Sequence, residues 1–175
     1  MIRAHREKTM LTLDVQGRAT MMESPTIHEL VTKHVAHGLR SLRIDLRDCS
    51  ALDSTFLGTL LLLEGQLAAV DGTLTLVSPS ASVLELLRRM GLEDAYAIEV
   101  APRARGPWLD LRLSSPDVER MTSIVIDAHE ELARASVSRA SDFQAVVDEL
   151  RRSRARQSEA RERMPSSDPI HPPAA

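Results

Sequence analysis

The sequence predicts an α/β domain, a mainly parallel or mixed sheet covered by helices, followed by a helical C-terminal extension. Three observations predict it. Short apolar segments at period two alternate with segments at helical period between about residues 10 and 100. Gly and Pro punctuate the junctions between them. After residue 115 only the helical period remains. Strands separated by helices join most readily in parallel, because a parallel connection needs a crossover.

In MLTLDVQGRATMM, Leu11, Leu13 and Val15 share one face and Gly17 supplies a turn, so residues 10–22 are predicted as two short strands. ESPTIHELVTKHVAHGL announces a helix: Ser24 can cap it, Pro25 suits the first helical position and Gly38 lies near its end. Ile27, Leu30, Val31 and Val35 form its apolar stripe. RSLRIDL follows as a strand, with Leu42, Ile44 and Leu46 alternating against Arg43, Asp45 and Arg47. A second helix runs from about Ser54 to Val70 and ends at Asp71-Gly72. GTLTLVSP is a brief strand halted by Pro79. Ser82 and Glu85 have capping-box spacing ahead of VLELLRRM, which Gly91 closes, and AYAIEV reads as the last strand. Residues 1–101 are therefore expected as one compact domain.

PRARGP breaks the pattern, making 102–114 a linker in which WLDLRL can add a strand. Val118, Met121, Val125, Ala128 and Leu132, then Phe143, Val146, Val147 and Leu150, recur at helical spacing. They predict a helical hairpin over 115–152, turning near Ser136 to Ser141. Its stripes must pack on each other, on the α/β domain, or on a second copy in a homodimer. Between Arg151 and Arg163 six Arg face two Glu with no apolar stripe, and PSSDPIHPPAA follows, so 153–175 is expected as a charged, Pro-rich disordered tail.

Composition narrows the functional classes. Aromatic residues are only 2% of the chain, too few to supply stacking platforms for single-stranded nucleic acid. A net charge of −3 argues against a polyanion binder, so no direct nucleic-acid contact is expected. Cys49 is the single cysteine, which excludes an internal disulfide and a multi-cysteine metal site and fits a reducing compartment. MIRAHREKT carries no signal-peptide apolar core. The greasy run from Phe56 to Leu63 stops at Glu64, well short of the about 18 apolar residues of a membrane span. A cytoplasmic protein without a membrane span is the expectation.

Candidate chemistry is sparse. His34 and His37 sit three apart without a third ligand at a typical spacing, and are read as solvated surface histidines. His129, beside Glu130 and Glu131, is read as part of a solvated helix face. Cys49 shows no activating base and is read as a packing residue. Asp53-Ser54-Thr55 is the notable constellation. Asp, Ser and Thr cap helices, since a side-chain oxygen accepts an orphan backbone N–H, so a purely structural role is available to it. Yet the helix it opens is apolar on nearly every face and hence buried, while its first residues stay at a strand end. A hydroxyl there, at the positive end of a helix, is well placed to carry a phosphate. As a hydrolase nucleophile Ser54 lacks the flanking glycines of a nucleophile elbow. No catalytic residue, metal or cofactor is expected.

The segment SLRIDLRDCSALDSTFLGTLLLLEGQLAAVDGTLTLVSPSASVLELLRRMGLEDAYAIE resembles the STAS domain of anti-sigma-factor antagonists. Asp45-Leu46 matches that family's strand end, Asp53-Ser54 its phosphoacceptor motif, Gly72 its turn and MGLEDAYAIE its closing segment. The likeness spans about Met10 to Val100. Where the family usually has a second Ser this chain has Thr55, and where it has Gly this chain has Phe56. The resemblance implies a STAS-like mixed sheet flanked by helices and a non-enzymatic regulator working by partner switching. A serine kinase that is also the anti-sigma factor would phosphorylate Ser54, with Thr55 as the alternative acceptor, and a phosphatase would reverse it. Asp53, Ser54, Thr55 and Phe56 would meet the partner. The alternatives are a structural STAS subunit of a lipid-transporting ABC complex, or a stress-signalling scaffold.

Overall fold

The computed structural model describes residues 1–113, 118–136 and 138–162. The expected Pro-rich end from residue 163 onward lies outside the described residues. Eight strands and five helices follow one another among the described residues: β1 (Ile2–Glu7), β2 (Met10–Val15), β3 (Gly17–Ala19), α1 (Ser24–Ala36), β4 (Ser41–Asp45), β5 (Cys49–Leu52), α2 (Ser54–Ala68), β6 (Thr73–Val77), α3 (Ala81–Arg89), β7 (Ala97–Glu99), β8 (Leu109–Asp110), α4 (Val118–Ala135) and α5 (Ala140–Glu162). The main sheet has the order β7-β6-β4-β2-β1-β8. β2, β4, β6 and β7 run parallel, and β1 is antiparallel to both β2 and β8. β3 and β5 form a separate parallel pair.

Register explains the core. Leu11 stands beside Leu42 and Leu13 beside Ile44, while Leu42 and Ile44 in turn stand beside Leu74 and Leu76. These rows face one way and are fully or almost fully buried. Arg43 and Glu99 form an ion pair on the other face, as do Arg3 and Asp14. Phe56, Leu57, Leu60 and Leu63 of α2 close the core over the sheet.

Four local expectations change. β1 lies in a charged stretch where no strand is expected; Ile2 and Ala4 are its only core residues, a period-two signal too short to stand out. β3 does not hairpin with β2: Gly17 adopts φ +75 and sends the chain away to pair with β5. Ser24 does not cap α1 but is its first residue, and its hydroxyl donates back to the Thr20 carbonyl. The α3 cap is Ser80, which accepts from the Val83 N–H at 3.4 Å; Glu85 pairs with Arg88, so the Ser82–Glu85 box does not form.

WLDLRL does add a strand, the two-residue β8 on the open edge of β1. The extension is a hairpin, α4 and α5, and it does not stand apart. Leu132 and Phe143 belong to the same core cluster as the sheet, and α4 packs along α2 on one side and α5 on the other. Being covered twice, α4 buries Ile124, Ile126, Ala128, His129 and Leu132, while Val118 at the head of the expected stripe is 74% exposed. The turn is pinned where the Ser136 hydroxyl donates to the Met90 carbonyl at 2.8 Å. α5 also continues past residue 152, where a disordered tail is expected, through Glu162. Arg, Ala, Gln and Glu there are good helix formers, and Arg154 reaches Glu119 on α4 at 3.2 Å. No helix among the described residues is long and apolar enough to cross a membrane.

Candidate functional site

Asp53 is the N-cap of α2, in extended backbone, with Oδ1 accepting from the Phe56 N–H at 2.8 Å. Its Oδ2 accepts from the Met21 N–H at 2.7 Å, tying the helix start to the segment after β3. The capping role that the residue types suggest is thus filled by Asp53 through Oδ1. Ser54, freed from capping, is the first helical residue and half-buried. Thr55 is buried. Phe56, expected among the partner-contact residues, has no exposed surface here and sits inside the core, so its ring is not presented to another protein in this conformation.

The residue that sequence reasoning misses is His129. It is no solvated helix-face residue: it is 6% exposed, and its Nε2 lies 3.1 Å from the Ser54 hydroxyl. Its Nδ1 lies 2.8 Å from the Val125 carbonyl one turn back on α4. A carbonyl only accepts, so Nδ1 carries the hydrogen, and in the neutral ring Nε2 accepts from Ser54. The Phe143 ring meets the imidazole edge-on, at 6.1 Å between centroids. The one signal in the sequence is the spacing Val125, Ala128, His129, Leu132, which places His129 on the apolar side of α4.

Close helix approach makes this contact. A β-carbon on Gly58 would stand 2.6 Å from the carbonyl carbon and 2.8 Å from the Cα of Ala128, and closer still to its carbonyl oxygen. Glycine in α2 and alanine in α4 therefore let two backbones touch, one turn beyond Ser54. Tyr96 braces α2 from below by donating to the Leu57 carbonyl at 2.7 Å. Burial, reinforced by the nearby Glu64 carboxyl, raises its hydroxyl pKa well above the usual phenol range.

The other candidates fall where chemistry is quiet. Cys49 is buried, which pushes its thiol pKa up and away from reactivity. His34 Nδ1 contacts Arg6, and His37 Nδ1 faces the Lys33 carbonyl at 2.7 Å. Among the described residues no cluster of three metal-ligating side chains occurs.

Residues 2–101 match the family model described as "Mlab, STAS domain". The chain belongs to the STAS domain family. Its fold is similar to the anti-sigma factor antagonist SpoIIAA in its unphosphorylated form, at 18% identity and a TM-score of 0.53, covering 58% of this chain and 89% of that one. The phosphorylated form of the Bacillus SpoIIAA gives 16% identity and a TM-score of 0.50, covering 58% and 92%. The NMR structure of TM1081 gives 18% and 0.51, covering 55% and 78%. No curated protein matches the chain. The STAS match ends at residue 101, so β8 and both helices of the hairpin lie beyond it. His129, which touches the Ser54 hydroxyl, comes from outside the matched segment.

Proposed function

We propose that this protein is an anti-sigma-factor antagonist-like regulator that switches partners through phosphorylation of Ser54. The observation that supports the reading is the placement of Ser54 as the first residue of α2, with Asp53 taking over the capping. A phosphate there gains from the helix's positive end and from unsatisfied backbone N–H groups, so the fold tolerates it. It adds up to about two negative charges and three strong acceptor oxygens, which a partner surface packed on the same spot does not tolerate. The partners would be a serine kinase that serves as the anti-sigma factor, and a phosphatase. Thr55, being buried, is the poorer acceptor.

The test is phosphopeptide mapping after incubation with such a kinase and ATP. Phosphate is expected on Ser54 and is expected to vanish in Ser54→Ala. Ser54→Asp is expected to weaken kinase binding while shifting the melting temperature little. Phosphate mapped only to other residues, with Ser54 untouched, overturns the reading. A second reading is favoured by the hydrogen bond from Ser54 to His129, which holds the hydroxyl as a contact group. In that reading the helix end makes a constitutive contact, as in a STAS subunit of a lipid-transporting ABC complex, and Ser54→Asp leaves kinase binding unchanged.

A further inference from the structure

The α2 face around Ser54 is a helix-docking surface, and α4 already occupies it. Gly58 opens a notch that only a backbone flanked by a small side chain can enter, and Ala128 enters it. His129, one residue on, supplies the acceptor for the Ser54 hydroxyl. Ile124 and Leu132, one turn before and one turn after Ala128, are buried as well. At 3.1 Å from His129 Nε2, the half-buried Ser54 hydroxyl is engaged on one side by the docked helix. A partner that approaches Ser54 from that side must displace the docked helix.

We propose that α4 is an intramolecular competitor for the partner-binding face. The chain rests closed, with Ser54 withheld, and opens by lifting α4 from α2. The partner that fits the opened face is an amphipathic helix of the same chemistry as α4, with a small residue opposite Gly58. This goes beyond the phosphorylation reading and takes from it only the purpose of the face.

Gly58→Ala separates the two helices selectively. Ala is the better helix former, and the three nearest atoms its β-carbon would meet all belong to the Ala128 backbone. Access to position 54 can be read without a kinase. In full-length protein carrying Cys49→Ala and Ser54→Cys, the thiol is titrated with 5,5′-dithiobis(2-nitrobenzoate). The closed chain is expected to react about tenfold or more slowly than an unstructured cysteine peptide, since only the open fraction is competent. Adding Gly58→Ala is expected to bring the rate close to that of the peptide, with the far-UV circular dichroism of a folded protein. If Gly58→Ala fails to fold, His129→Lys forces the same separation from the α4 side by setting a buried positive charge against the positive end of α2.

A thiol that already reacts at the peptide rate in the Gly58 background overturns the proposal. So does a thiol that stays slow in a folded Gly58→Ala or His129→Lys variant. The phosphorylation reading fails separately: a rate gated by Gly58 together with a Ser54 that no kinase modifies would leave the competitor in place and remove the switch.

Discussion

Phe56 and His28 show how single residues depart from what their types suggest. Phe56 stands where the resembling family has Gly, and it fills the core with no exposed surface. Phe56→Ala is expected to cost about 3–5 kcal/mol of stability in urea denaturation, the range for a large aromatic lost from a packed core. His28 lies on α1, facing α2 and α4. The Thr32 hydroxyl donates to Gln66 Oε1 at 2.9 Å, which orients the amide so that its Nε2 donates to His28 at 3.0 Å. That arrangement needs a neutral ring. Burial lowers the His28 pKa below 6.5, with Arg120 adding to the shift and Asp127 opposing it. The unfolded chain then takes the proton more readily than the folded one. The stability from His28 is full above pH 6.5 and is lost as pH falls through that value toward the lower folded one. Melting temperatures between pH 7 and pH 5 should fall, and His28→Gln should make the fall shallower. A slope identical in both proteins would exclude His28 as its source.

At the scale of elements, the strands and helices with clean periods were legible: β2, β4, β6, α1 and α2 stand where the pattern puts them. β1 and β5 were not, because short strands with few apolar residues look like charged loop until their partners are known. The buried stripe of α4 differs from the expected one for another reason. Ile124, Val125 and Ile126 are consecutive, and a helix covered by α2 and α5 together uses more than one face. Of the candidate site, the capping of α2 by Asp53 was legible from local chemistry, whereas the His129 contact joins residues 75 apart in sequence and has no local signature. The last turns of α5 rest on exposed ion pairs, Arg152 and Arg156 to Glu149 and Arg154 to Glu119. Such pairs are worth at most about 1 kcal/mol each and are screened by salt. Raising ionic strength toward about 1 M should therefore speed amide exchange in residues 153–162 and leave Leu132 and Val147 protected. Uniform change along both helices would mean the pairs do not hold that end.

For the molecule as a whole, one core serves the STAS domain and the hairpin, since Leu132 and Phe143 sit in the cluster built by the sheet and α2. The full chain should unfold in one cooperative transition, and a chain cut after Pro102 should fold less stably, bind a hydrophobic dye and aggregate. Two separated transitions in the full chain, with a truncated chain as stable as its parent, would show that the hairpin is an independent unit.

The cut would also unmake the border of the sheet. β8 pairs with Arg3 and Ala4 of β1 and, short as it is, stands on an edge six residues long. Without it, β1 presents a row of unpaired N–H and C=O groups to any other extended chain, and a second copy offers the same row. The opposite edge is the three-residue β7, too brief to template much pairing. Residues 109–110 thus act as a selvedge, keeping neighbouring molecules from knitting their sheets together.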